Sequence, residues 1–364
     1  MKRSDIIIIL TGTDPSSMSG GIGFALKGYL AALNAVDVNW CIIPTYHPTA
    51  YAGKYLPWIM SFPKVWLAIY KYQKQKKKVI VYSHAGRGKS FFREFFLLTF
   101  SRILGVKTIM QLHGPQIDGY LSHFAKKWLF KIAIKPAETL GVLTPWWEKR
   151  LMNKGIKKPL IVISNPLSLR LQLVASLPIS KKKFKDEIVL LSLARLVEGK
   201  GVDIVIEAMT ILPEKYRLVI AGDGILRKKL EARTIELGLL NRIKFIGWVS
   251  GEEKQRLFES VDVFVLPSTN DSFGMVFVEA MSNGLPVIAA DWGAIPDVVP
   301  NRKCGILINQ LEPKDVASAV IELKDSEIRR RMGVEGKRWV LEKFSADSVG
   351  KDILKMIDKV LVNR

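Results

Sequence analysis

Two cysteines in 364 residues, Cys41 and Cys304, are too few and too far apart for a disulfide framework or a metal-ligand spacing. Their scarcity points to a reducing, cytoplasmic compartment. No apolar run approaches the roughly 18 residues that a membrane-spanning helix needs. The run at 6–10, behind Met-Lys-Arg, is too short for the apolar region of a signal peptide and reads as a first strand. Acidic residues are scarce in one half only. Residues 1–180 hold 25 Lys+Arg against 7 Asp+Glu, a net +18, whereas residues 181–364 hold 30 against 27, a net +3.

What is present is ordinary globular composition, 48% apolar and 24% charged, in a chain too long for one core. Short apolar runs at 6–10, 38–43, 79–83, 107–112, 140–143 and 160–163 read as strands, with helices opening at Gly20-Gly21 and fitting 91–104, 121–137 and 145–153. The pattern restarts after a poorly defined stretch. Strands are expected at 188–193, 216–221, 243–246, 263–266, 286–289 and 305–308, and helices at 202–209, 225–237, 252–259, 276–282 and 345–362. Alternation of strand and helix argues α/β architecture with two doubly wound parallel sheets. The expected division is a first domain at 1–170, a linker at 171–187, a second domain at 188–344 and a C-terminal helix at 345–364 crossing back to the first domain. Ligands of such sheets bind beyond the carboxyl ends of the strands, so two facing sheets would share one cleft.

The most informative stretch is Asp271-Ser-Phe-Gly-Met-Val-Phe-Val-Glu279, two carboxylates around Phe273-Gly274 at a helix start. Carboxylates accept hydroxyl hydrogen bonds in pairs, and exposed N–H groups at a helix start favour anions, a combination suited to a polyhydroxylated, charged ligand. Arg195-Leu-Val-Glu-Gly-Lys200-Gly201 puts two cations after another strand, Gly222-Asp-Gly224 ends the next, and Gly247-Trp-Val249 ends a third. In the first half, His84-Ala-Gly-Arg87 and His113-Gly114 also follow strands, and Asp118 lies just beyond; the other two histidines are His47 and His123.

In these motifs the chain resembles the family 4 retaining glycosyltransferases, of the bacterial cell-surface polysaccharide type. The resemblance implies the GT-B fold of two Rossmann-like domains. It also implies that Arg195 and Lys200 hold the diphosphate of a nucleoside diphosphate sugar while Asp271 and Glu279 hold sugar and ribose. Asp271 stands where the family has Glu. Gly20, Gly21, Val249, Phe273 and Gly274 complete the expected donor site, and His113 is expected near the reacting sugar. His84, Arg87 and Asp118 are weaker acceptor-binding candidates. A departing diphosphate needs a metal or fixed cations. The chain has no Asp-x-Asp pair, and Arg195 and Lys200 can supply the charge, so the expected reaction uses no metal or other cofactor.

The acceptor is expected to be a glycan or lipid-linked glycan of O-antigen or capsule type. Basic clusters at 71–78 and 149–158, beside the aromatic segments 55–66 and 91–100, suit the inner face of an anionic membrane and a peripheral location there. A non-hydrolysing sugar-nucleotide epimerase shares the architecture, but its catalytic carboxylates and histidines find no match here. Nucleic-acid binding would use the basic half, but no such module is recognisable, so nucleic acid is not an expected partner.

Overall fold

The computed structural model describes residues 3–16, 21–47, 55–86, 88–114, 117–179 and 187–362. The chain forms two compact units, one of Met1–Leu169 with Lys343–Arg364 and the other of Arg170–Glu342.

In the first unit the described residues form six strands, β1 (Ile6–Thr13), β2 (Asn39–Tyr46), β3 (Lys78–Ala85), β4 (Lys107–Leu112), β5 (Thr139–Val142) and β6 (Leu160–Val162). They pair in parallel in the order β2-β1-β3-β4-β5-β6. Ile7, Ile8, Ile9 and Leu10 are each at most 2% exposed, because helices cover both faces of β1. That double burial is why the strand reads as an unbroken apolar run and not as an alternation. Parallel pairing requires a crossover at each step, and helices Gly21–Ala35, Leu56–Lys74, Lys89–Ile103, Phe124–Ala133 and Pro145–Asn153 supply them.

Two elements differ from the sequence reading. The aromatic segment at 55–66 belongs to the 19-residue helix Leu56–Lys74, to which no element had been assigned. Pro57 sits in its first turn, where the missing N–H costs little, whereas Pro63 lies inside the helix. Only Ser61, Val65 and Ile69 are buried, a stripe one residue wide, so the rest of the helix gives no amphipathic signal. The helix expected at 121–137 is broken in two, Ile117–Leu121 and Phe124–Ala133, with His123 extended at φ −122°, ψ 140° between them.

The second unit repeats the design with β7 (Ile188–Leu193), β8 (Tyr216–Ala221), β9 (Ile243–Gly247), β10 (Val263–Leu266), β11 (Val287–Ala290) and β12 (Gly305–Ile308). Their order is β12-β11-β10-β7-β8-β9, again parallel, which brings the ends of β7 and β10 side by side. The stretch read as a linker, 171–187, begins inside the helix Leu169–Ser176, and residues 180–186 of it lie outside the described ones. Helices Pro313–Glu322 and Ser326–Phe344 were not read from the sequence.

The last helix, Ala346–Val362, belongs to the first unit and packs on Gly21–Ala35. Val349, Ile353, Met356, Ile357 and Val360 are each at most 1% exposed and share one helical face. Gly350 sets the approach: a Cβ there would lie 2.7 Å from the Ala32 carbonyl oxygen. Burial on this face contributes roughly 1.5–3 kcal/mol per large side chain, enough to hold the helix in place.

Candidate functional site

In the second unit, backbone contacts bind together the loops leaving β7, β8 and β10. Ala194 N–H donates to the Ala221 carbonyl at 3.1 Å and Leu196 N–H to the Asp223 carbonyl at 2.9 Å. This closeness demands glycine: a Cβ on Gly222 would lie 1.8 Å from the Ala194 oxygen, and one on Gly224 2.3 Å from the Leu196 oxygen. On the other side the Gly199 carbonyl accepts from Thr269 N–H at 2.8 Å and from Ser268 Oγ at 3.1 Å. The Arg195–Lys200 loop is therefore held on both flanks.

Its two cations are presented differently. The Arg195 guanidinium is exposed and has no side-chain partner among the described residues. Lys200 is largely buried, its Nζ donating to Asp271 Oδ2 at 2.8 Å and to the Asn270 carbonyl at 3.1 Å. Asp271 thus pairs with Lys200 instead of capping the following helix, Met275–Ser282, which starts at Gly274 in the left-handed region at φ +76°. Glu279, 8% exposed, lies on that helix and accepts from Lys254 Nζ at 2.6 Å. The structure thus puts Lys200 in contact with Asp271, while Glu279 has its own cation. The side chains of Phe273 and Val249 are buried, which leaves their backbones as what either offers a ligand. Lys254 was not singled out in the sequence, where Ser250-Gly-Glu-Glu-Lys254 has the look of a solvated first helical turn.

In the first unit Gly21 begins the helix Gly21–Ala35, while Gly20 and Arg87 lie outside the described residues. His84 and His113 end adjacent strands and meet, His84 Nδ1 to His113 Nε2 at 2.9 Å, one ring nitrogen donating and the other accepting. Their rings stack at 5.1 Å, and Tyr29 meets His84 edge-on at 4.6 Å. His84 is 1% exposed, so it is placed as a support for His113 and not as a surface group. Asp118 accepts from Arg150 Nε at 2.7 Å, an ion pair that occupies one of its oxygens. A third buried group lies nearby in the fold: Glu94, fully buried, accepts from Thr11 Oγ1 at 2.7 Å and Thr45 Oγ1 at 2.5 Å. Burial holds its carboxyl above the usual range.

Burial also pushes His113 down to about 3 and His84 well below the ordinary imidazole value, the latter helped by its histidine neighbour. Both are therefore neutral in the folded protein at pH 7. The unfolded chain takes up protons near pH 6.5 that the folded chain refuses, so stability is full above that pH and falls as pH drops toward the folded values. At pH 5.5 the pair is expected to cost the first unit about 1–3 kcal/mol. Urea unfolding at pH 7.5 and 5.5 measures this, and a His84→Gln, His113→Gln protein should lose most of the pH dependence.

Residues 176–339 match the family of glycosyl transferases group 1. An uncharacterized glycosyltransferase of Methanocaldococcus jannaschii, MJ1607, is 33% identical over 47% of this chain and 45% of its own length. The lipopolysaccharide core biosynthesis glycosyltransferase LpsE of Rhizobium meliloti is 27% identical over 59% of this chain and 62% of its own length. Both alignments take in less than two thirds of the relative. In fold, HepE of Anabaena, solved with UDP and glucose, superposes with a TM-score of 0.71 over 97% of this chain and 100% of that one, at 18% identity. That likeness concerns the fold, two Rossmann-like α/β units of GT-B type. The segment that matches the glycosyl transferases group 1 family, residues 176–339, is the one that carries Arg195, Lys200, Asp271 and Glu279.

Proposed function

We propose that this chain is a retaining glycosyltransferase that moves a sugar from a nucleoside diphosphate sugar to a glycan or lipid-linked glycan in cell-surface polysaccharide synthesis. The observation that carries the reading is the β7 loop, which is clamped by its neighbours and carries both Arg195, with no side-chain partner among the described residues, and a Lys200 already hydrogen-bonded to Asp271. When the glycosyl–phosphate bond breaks, negative charge grows on the leaving diphosphate. Fixed cations stabilise it without reorganising, so the reaction proposed needs no metal. Asp271 and Glu279 are the acceptors for donor hydroxyls, and binding of the diphosphate would draw Lys200 partly away from Asp271. His113, neutral and donating or accepting through its ring, suits a hydroxyl partner better than a phosphate. No separate nucleophile is required where the leaving phosphate itself takes the acceptor's proton.

A thermal-shift panel of UDP-, GDP-, ADP- and dTDP-sugars tests the donor. A ligand at 100 times its dissociation constant adds about 2.7 kcal/mol of stability, so one base should raise Tm clearly above the others. No shift with any of the four would sink the reading. Support for a membrane-bound acceptor comes from the helix Leu56–Lys74, where Leu56, Ile59, Trp66, Leu67 and Tyr70 are exposed among Lys64, Lys71 and Lys74. No described helix is long and apolar enough to cross a membrane. Cosedimentation with anionic liposomes is expected at low salt and should weaken as salt screens the lysines; equal binding to neutral liposomes would count against it.

A further inference from the structure

The carboxyl ends of β1, β2 and β3 surround a cavity of about 810 Å³ within the first unit, bordered by Thr13, Tyr46 and Gly86 at those strand ends. That is the position at which parallel α/β sheets take their ligands, and the volume is in the range of small-molecule sites. Its wall is Tyr55, Trp58, Phe92 and Phe96, and its charged lining groups are Lys89 and Arg93. No carboxylate or carboxamide side chain lines it among the described residues. Glu94, next in sequence to Arg93, is turned inward to Thr11 and Thr45.

This chemistry discriminates among ligand classes. Among the described lining residues the formal charges are the two cations Lys89 and Arg93, and the remaining polar groups are hydroxyls, so the lining favours an anionic ligand over a neutral sugar. Arg93 stacks over Tyr46 at 4.9 Å, and its Nε is buried without a hydrogen-bond partner among the described residues. A buried unpaired donor is costly, and an anion would satisfy it. Lys89 stands at the first turn of the helix Lys89–Ile103, where the dipole also favours negative charge. Phe96, 50% exposed, and Phe92 continue the aromatic wall outward to solvent.

We propose that this cavity binds a phosphate attached to a long hydrocarbon chain, the phosphate on Arg93 and Lys89 and the chain along Trp58, Phe92 and Phe96. The inference rests on the glycosyltransferase reading only in identifying this ligand as the lipid end of the acceptor. Both parts of the ligand contribute. Each buried CH₂ strengthens binding roughly fourfold, and a charge-assisted bond to the guanidinium contributes about ten- to a hundredfold.

Isothermal titration of the full-length protein with farnesyl phosphate, farnesol and inorganic phosphate separates the contributions. Farnesyl phosphate is expected to bind at least about tenfold more tightly than farnesol and about a hundredfold more tightly than inorganic phosphate. Arg93→Met should weaken farnesyl phosphate about ten- to a hundredfold and leave farnesol unchanged. Phe96→Asp, at an exposed position, should weaken both lipids and gives a second reading if Arg93→Met misfolds. Equal binding of farnesol and farnesyl phosphate, equal binding of inorganic and farnesyl phosphate, or undiminished binding by both variants would overturn the assignment. The nucleotide-sugar thermal shift is read on the same proteins. Selective farnesyl phosphate binding without any nucleotide-sugar shift removes the transferase reading and keeps the cavity assignment, whereas a shift without lipid selectivity does the reverse.

Discussion

An Arg195→Ala, Lys200→Ala protein will transfer sugar at least about 10³-fold more slowly than the wild type at saturating donor. The fall is expected in kcat because, on the proposed reading, the charge these cations meet is largest in the transition state; an interaction equal in ground and transition states would change KM alone. Lys200 should contribute more than its Coulomb term in water, since its side chain is only 13% exposed and therefore poorly screened. The two single variants need not multiply to the double, because on the proposed reading both cations act on one leaving group. Stability is a separate question. Removing Lys200 leaves Asp271 unpaired at 18% side-chain exposure, which costs some stability without unfolding the unit. A melting temperature within a few degrees of wild type, with kcat within tenfold, would contradict the assignment of the diphosphate to this loop.

The second large effect is expected at Lys254. Glu279 is nearly buried, and its carboxylate is held by the 2.6 Å contact to Lys254 Nζ from a different helix, Gly251–Ser260. Lys254→Met should leave the carboxylate without its counter-charge and free to rotate. Donor affinity is then expected to fall about ten- to a hundredfold, with kcat at saturation changing by only a few-fold. On this reading Lys254 is a positioning residue, working through its contact to Glu279. Glu279→Gln should produce a similar loss, and the double variant should be no worse than the poorer single, a coupling of roughly 1.4–2.7 kcal/mol. The same cycle in urea should show the singles destabilised and the double partly restored, because breaking a buried pair hurts more than replacing both members. Additive losses in donor affinity would mean that the two side chains work independently and that Lys254 has no part in positioning.

How far the chain could be read from its residues depends on how local the cause is. Strands β4, β7, β8, β10 and β12 stand where apolar, β-branched runs between turn residues put them, because burial on both faces leaves no other reading. The helix Leu56–Lys74 was not legible, since two prolines and a one-residue buried stripe hide its period. In the second unit Arg195, Lys200, Asp271 and Glu279 were singled out by spacing, yet nothing in the spacing said that Lys200 would hold Asp271 or that Lys254 would hold Glu279. Those pairs are 71 and 25 residues apart. In the first unit, Glu94 reads as a stray acid among phenylalanines until β1 and β2 bring Thr11 and Thr45 to it.

The sequence by itself determined the two parallel sheets and the loops on which charged residues would stand, because apolar periodicity and turn chemistry act over a few neighbouring residues. Only the tertiary structure decided which charge meets which, that His84 backs His113, and that Arg93, lining an aromatic cavity, has a buried Nε without a hydrogen-bond partner among the described residues. Those outcomes depend on strand order and on the depth to which each side chain is buried, and both are set by packing among segments far apart in the chain.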